Sequence, residues 1–170
     1  MPPFFTNPTT YMFKPELFML MSAIIAPVMA VEVEYARVVQ QTEQGYRLHP
    51  DAVSADFSAA FADFDPQRDG EKSDAATFGA PRWLAVRIDG KTYLIQVDNN
   101  YGVFTLHRAV RRGNRWALTR GSRTIYHPAL YDKLRAAGLR IHTAEELKSM
   151  SKQERQQALS GSDSPILAPR

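Results

Sequence analysis

The chain has 170 residues, no cysteine and a formal net charge of +3. The lack of cysteine excludes disulfides, thiolate metal sites, cysteine nucleophiles and a lipid-modified N-terminal cysteine. Charge is unevenly distributed: residues 31–78 hold ten acids and four bases (net −6), whereas residues 79–140 hold three acids and twelve bases (net +9). Such asymmetry indicates solvated faces, two halves that attract each other, or a surface for an anionic partner.

An uncharged segment, Leu17–Val31, follows Lys14 near the N-terminus. Its fifteen residues are fewer than the roughly 20 that a membrane-spanning helix needs, but they suit a secretory signal. Pro27 and the small residue Ala30 predict cleavage before Val31. We therefore expect residues 1–30 to be a cleaved signal peptide and the mature protein to be periplasmic or secreted. A retained membrane anchor and a buried helix are the alternatives, and translation from Met12 would give a more conventional signal.

The segment that follows predicts a hairpin and then a helix. Residues 31–41 are rich in β-branched side chains, and a turn at 42–45 leads to a second short strand at 46–48. Pro50 and Asp51 favour a helix start, and apolar residues recur at helical spacing across residues 51–64. Residues 65–81 are polar with glycine and proline, which predicts a long mobile loop.

Residues 82–127 predict an antiparallel meander. Asp89-Gly90 is a strong two-residue turn signal that sets Ile88 opposite Lys91. This register places six apolar side chains on one face, in agreement with the hydrophobic pattern: Leu84, Val86, Ile88, Tyr93, Ile95 and Val97.

Three further turns are predicted within the meander. Asn99-Asn100 forms one of them and sets Ile95 opposite Phe104. Another lies within residues 111–114 and leaves the face of Trp116 undetermined. Gly121-Ser122 is the last.

The C-terminal part predicts helices. Pro128 begins a helix that Gly138 ends, and capping-box patterns at 143–146 and 151–154 predict short helices at 144–149 and 152–159. Residues 160–170 predict a disordered tail. The fold class is therefore α+β. We expect one domain at 31–159, an antiparallel meander of four to six strands, open or curled into a small barrel, packed by helices at 51–64 and 129–137.

Metal and cofactor signals are weak. Asp65, Gln67, Asp69 and Gly70 match the first half of a calcium loop, but Ala76 stands where the loop needs a bidentate acid. An acidic surface loop explains the same residues. The four histidines lack metal-ligand spacing, and we expect neither a metal nor a cofactor.

The segment Arg108–Arg123 has six arginines, one tryptophan and no acid. Arginine presents a planar fork that suits carboxylate or phosphate, and tryptophan can stack on a partner or on a guanidinium. A solvated strand edge that resists aggregation is the alternative. The segment predicts a partner-binding edge formed by seven residues: Arg108, Arg111, Arg112, Arg115, Trp116, Arg120 and Arg123.

No catalytic motif stands out, which favours a non-enzymatic binding protein of the cell envelope, of the inhibitor, immunity or assembly-accessory kind. The expected partner is an acidic protein or an envelope polyanion. A small hydrolase using His107, His127 and Asp98 is one alternative, and a nucleic-acid binder is another. Contact with a membrane is expected only through an uncleaved N-terminal segment.

Overall fold

The computed structural model describes residues 31–75, 81–160 and 166–168, and within them the fold is α+β. The predicted signal peptide at 1–30 lies outside the described residues. The described ranges contain seven strands and three α-helices, in chain order: β1 (Val33–Thr42), β2 (Gly45–Leu48), β3 (Glu71–Lys72), β4 (Arg82–Ile88), β5 (Lys91–Val97), β6 (Val103–Arg112), β7 (Arg115–Tyr126), α1 (Pro128–Ala136), α2 (Ala144–Ser149) and α3 (Lys152–Ser160).

The strands form one antiparallel sheet in the order β2-β1-β4-β5-β6-β7-β3. Strand β2 also pairs with β7, where Tyr46 lies opposite Trp116. Six strands therefore close into a small hydrogen-bonded barrel, and β3 pairs with the far end of β7. The arrangement agrees with the predicted α+β meander but has seven strands rather than four to six. The additional two-residue strand β3 lies within the segment that was predicted as a mobile loop. It was not predicted because so short a strand leaves no hydrophobic pattern in the sequence.

The Asp89-Gly90 turn is confirmed with its register. Ile88 lies opposite Lys91, and both turn residues have a positive φ, 47° for Asp89 and 71° for Gly90. The predicted register of the next turn is wrong by two residues, because Ile95 lies opposite Leu106 rather than Phe104. The connection there occupies residues 98–102 instead of the two predicted turn residues. Because side chains alternate along a strand, a register shift of two residues leaves every side chain on its predicted face.

The predicted turn at Gly121-Ser122 is wrong, because β7 continues through it to Tyr126. Leu118 lies opposite Ala109 and Ser122 opposite His107, so residues 119–121 bulge against the single residue Arg108. Gly121 has φ +92°, a conformation that glycine adopts without strain. The glycine therefore marks a β-bulge. Bulges and turns both favour glycine, so the sequence alone did not separate the two.

The predicted helix at 51–64 is also wrong, since the segment forms two short 3₁₀ turns, Pro50–Ala52 and Ser58–Phe61. Its backbone instead covers the free edge of β1: the Phe57 amide donates to the Ala36 carbonyl at 2.8 Å. The Asp56 carboxylate accepts from the Ala36 amide at 3.3 Å and from the Ser58 amide at 3.0 Å. Side-chain bonds of this kind compete with helix formation, while the phenylalanines still reach the core.

The three α-helices follow their predicted bounds closely. Thr143 and Glu146 form a reciprocal capping box at the start of α2, and Gly138, with φ +97°, follows the end of α1. Part of the predicted tail lies against the domain: Leu167 bridges to Leu139, and Ile166 is buried in the core. For residues 166–168 the structure therefore departs from the prediction of a disordered tail.

The barrel has an apolar cluster on each side of its wall. The inner cluster takes residues from all six barrel strands: Val39, Tyr46, Ala85, Leu94, Ala109 and Trp116, with Tyr35 and Trp83 packed against it. The outer cluster joins the outward residues of β1, β4, β5, β7 and the first half of β6 to the 3₁₀ turns and α1. It takes no residue from β2 or from the end of β6, so the helical layer covers only part of the barrel's outer surface.

Candidate anion-binding face

The uncovered part of the outer surface carries a concentration of arginines. Alternate residues of β6 point outward, so Arg108, Val110 and Arg112 follow the buried Leu106 on the same face, and all three are exposed. Five arginines belong to this surface, which we call the arginine face: Arg47, Arg108, Arg112, Arg115 and Arg120.

Three arginines of this face form a row across adjacent strands. Arg112 of β6 lies opposite Arg115 of β7, and Arg115 lies opposite Arg47 of β2. Neighbouring strands are about 4.8 Å apart, and like charges placed directly opposite one another are unfavourable. We therefore expect the charges of the row to repel one another.

None of the ion pairs among the described residues involves an arginine of the row. The Arg115 guanidinium donates to the neutral side chain of Gln44. The Nε atom of Arg47 is buried without a hydrogen-bond partner. A cavity of about 430 Å³ lies beside the row, lined in part by Arg112, Asn114 and Arg115.

The other two arginines border a second cavity. Arg108 Nη1 donates to the Tyr93 hydroxyl at 3.2 Å, and its guanidinium carbon lies 5.0 Å from the centre of the Tyr93 ring. Arg120 extends from the bulge of β7. Both line a groove of about 360 Å³ whose opposite wall is formed by Pro66 and Gln67.

Two residues of the predicted edge, Trp116 and Arg111, lie on the inner face of their strands. Trp116 is 3 % exposed and lies inside the barrel, where its Nε1 donates to the Tyr35 hydroxyl at 3.2 Å. Arg111 lies opposite Trp116 and places its guanidinium 5.6 Å from that ring. Trp116 is therefore mainly a packing residue, although it also lines part of the cavity beside the row. Its predicted role in partner binding stays a prediction.

Arg123 makes hydrogen bonds within the protein. Its guanidinium donates to the carbonyls of Pro66 at 3.2 Å and Gly70 at 2.9 Å, which ties residues 66–70 to β7. Of the seven predicted residues, the structure brings four together on the arginine face, which are Arg108, Arg112, Arg115 and Arg120. Arg123 lines the same groove as Arg108 and Arg120. Sequence reasoning missed Arg47, because its place in the row depends on the β2–β7 closure, for which no local signal exists.

The residues of the hydrolase hypothesis have separate structural roles. His107 packs on Trp83, with the ring centres 5.5 Å apart. Its Nε2 is buried without a partner, and burial lowers its pKa. His127 caps α1 by accepting from the Leu130 amide at 3.1 Å, and it packs against Phe64 of the outer cluster. Asp98 accepts from the Asn100 amide at 2.8 Å. The two histidines thus belong to different apolar clusters, which disfavours a shared catalytic site.

The acidic residues of the calcium hypothesis are used within their own turn. The Asp69 carboxylate accepts from the Asp65 amide at 2.8 Å, and the Asp65 carboxylate accepts from the Gln67 amide at 2.8 Å. Across the described residues, no group of three or more histidine, aspartate or glutamate side chains is arranged to hold a metal ion.

A buried polar cluster joins the start of β4 to the segment after α1. Arg82 is buried, and its Nε donates to the Arg140 carbonyl at 3.1 Å. Burial, followed by the charge of Arg140, lowers the pKa of both Arg82 and His142. Nearby, Arg135 donates to Glu146 at 2.5 Å, which links α1 to α2. The Arg82 contact connects the sheet to the segment after α1, and the Arg135–Glu146 pair connects two helices of the layer that packs on it.

None of the helices in the described ranges is both long and apolar enough to cross a membrane. In comparisons with known proteins, the chain matches no family model, no curated protein and no solved structure.

Proposed function

We propose that this protein is a non-enzymatic binding protein that captures an acidic protein segment through the arginine face. The observation that supports the proposal is the row Arg47–Arg115–Arg112, in which like charges lie opposite one another without a carboxylate partner in the described chain. Carboxylates from a partner would remove the repulsion and accept paired hydrogen bonds from the guanidinium forks. On this proposal, the row destabilises the unbound protein, and binding of an acidic partner removes that destabilisation.

The composition of the face favours a protein segment over a bare polyanion. Val110 is 40 % exposed between Arg108 and Arg112, and the neutral side chain of Asn114 lies beside the row. Protein interfaces combine arginine with apolar contacts in this way. A chain of phosphates presents no carbon atoms to Val110, whereas the methylene groups of a glutamate side chain can contact it. An envelope polyanion or a nucleic acid is therefore the less suitable ligand.

We further propose that this binding takes place in the cell envelope or outside the cell, as an inhibitor, immunity or assembly-accessory function would require. The proposal is supported by the signal-like segment Leu17–Val31. N-terminal sequencing of the protein purified from its own cells tests it. A chain that begins at Val31 supports export, whereas an intact N-terminal segment contradicts cleavage.

The binding proposal is tested with a fluorescein-labelled polyglutamate peptide and the full chain, by fluorescence anisotropy. The double variant Arg112→Gln/Arg115→Gln removes two charges from the row. Hydrogen bonds to charged groups contribute about 1.5–3 kcal/mol each, so we expect at least about tenfold weaker binding. The matched control, Lys148→Gln/Lys152→Gln, removes two exposed charges from α2 and α3, and its affinity should stay close to that of the wild type.

Equal weakening by both double variants would show only a general effect of net charge and would contradict the proposal. Tighter binding of inorganic polyphosphate or of double-stranded DNA than of the peptide, measured in the same buffer, would also contradict it. The preference for polyphosphate or DNA would assign the face to a polyanion instead of an acidic protein.

A further inference from the structure

We infer that the groove beside Arg108 and Arg120 holds an apolar side chain of the partner, flanked in the partner's sequence by carboxylates. The inference rests on the proposed function and adds to it the kind of segment that is recognised. It is carried by the shape and lining of the groove, which differs from the row of Arg47, Arg115 and Arg112 in having an apolar floor.

The groove lies where the arginine face meets the covered part of the barrel. Its floor is formed by Tyr93 and Leu106, which are both buried. Pro66 and Gln67 form one wall, and Arg108 and Arg120 border it on the side of the face. Gly121, Ser122 and Arg123 complete the lining. Its volume of about 360 Å³ is within the range of pockets that hold small ligands and side chains.

Existing contacts hold the groove in place before any partner arrives. The two hydrogen bonds from Arg123 to the Pro66 and Gly70 carbonyls fix the wall against β7. The bond from Arg108 to the Tyr93 hydroxyl, at 3.2 Å, orients that guanidinium at the border of the groove. A preformed pocket loses less conformational entropy when a ligand binds.

The lining determines the chemistry of the occupant. An apolar floor favours an aliphatic or aromatic side chain, and two exposed arginines at the border favour negative charge next to it. Among the described residues no aspartate or glutamate lines the groove. A polymer of charge alone would leave the floor unfilled, whereas a hydrophobic residue between acidic ones would satisfy both parts.

The experiment compares two labelled peptides against the full chain by fluorescence anisotropy. One is a short run of glutamates with a central phenylalanine, and the other has alanine at that position. Burial of the phenylalanine should strengthen binding to the wild type about tenfold over the alanine peptide. In the variant Gln67→Trp, which places a bulky ring in the groove from an exposed position, the advantage should fall to about twofold or less.

A matched control, Lys152→Trp, adds the same ring at a distant exposed site and should keep the full advantage. Circular dichroism and thermal unfolding of each variant verify that the fold is retained. If both peptides bind the wild type equally well, the groove inference is overturned while the arginine face stands. If neither peptide binds, the proposed function itself fails. An advantage that persists in Gln67→Trp places the phenylalanine elsewhere and overturns the inference.

Discussion

The two parts of the barrel's outer surface are built from the same strands but differ in the residues that they carry. On β6, Phe104 and Leu106 are buried under the helical layer, whereas Arg108 and Arg112, two and six residues beyond Leu106 on the same face, are exposed. The outward residues of the covered part are mostly apolar, whereas those of the uncovered part are mostly arginines, with Val110 among them. Side chains alternate between the two faces along the whole of β6. The difference between the two parts therefore depends on whether the helical layer packs against the outward side chains. We interpret the covered part as the source of stability and the arginine face as a surface kept for a partner.

The largest effect is expected in the covered part. Phe61 is fully buried in the outer cluster, and Phe61→Ala should lower the free energy of unfolding by about 3–5 kcal/mol through lost burial and a cavity. Val110→Ala on the uncovered part should change it by less than about 0.5 kcal/mol. Urea denaturation of both variants measures the contrast, and similar losses would remove the distinction between the two parts.

The barrel interior should show an intermediate effect. Trp116→Phe removes the hydrogen bond to the Tyr35 hydroxyl and part of the indole volume, and we expect a loss of about 1–3 kcal/mol in unfolding free energy. Binding of the polyglutamate peptide should be unchanged under conditions where the variant is folded. A variant of wild-type stability that loses binding would return Trp116 to the partner surface.

Acidification should weaken the barrel through His107. Burial places its folded-state pKa below the ordinary value of 6.5, so the unfolded chain takes up the proton first as the pH falls. Stability is therefore fully present above about pH 6.5 and declines as the pH falls toward the lower folded-state pKa. In His107→Gln this decline should be smaller, and thermal unfolding between pH 7.5 and about pH 5 measures it. His49 and His142, whose pKa values are also lowered, should preserve part of the decline, and an unchanged pH profile in the variant would contradict the role of His107.

The smallest effect on stability should have the opposite sign. Arg112→Gln relieves the repulsion with Arg115, and we expect it to raise the free energy of unfolding by about 0.2–0.5 kcal/mol at low salt. Added salt should reduce the gain, because it screens exposed charges. A loss of stability would mean that the row supports the fold, which would contradict our interpretation of the arginine face.

Local chemistry made much of the fold predictable. The Asp89-Gly90 turn and the Thr143–Glu146 capping box depend on residues next to each other in sequence, and both are confirmed. The helix predicted at 51–64 failed because a distant partner, the free edge of β1, takes its backbone hydrogen bonds. Nonlocal pairing also explains what was missed at the site. The composition of Arg108–Arg123 indicated the basic surface, but only the closure of β2 on β7 buries Trp116 and adds Arg47 to the row.

The most direct test of the account is to map where an acidic ligand binds. Two-dimensional ¹H–¹⁵N spectra of the labelled full chain, including the arginine Nε–H signals, would be recorded during titration with the polyglutamate peptide. The account predicts shifts concentrated at residues 44–47 and 108–123, with Arg47, Arg112 and Arg115 among the largest. Shifts concentrated on α1, α2 and α3, or spread evenly over all basic residues, would contradict it.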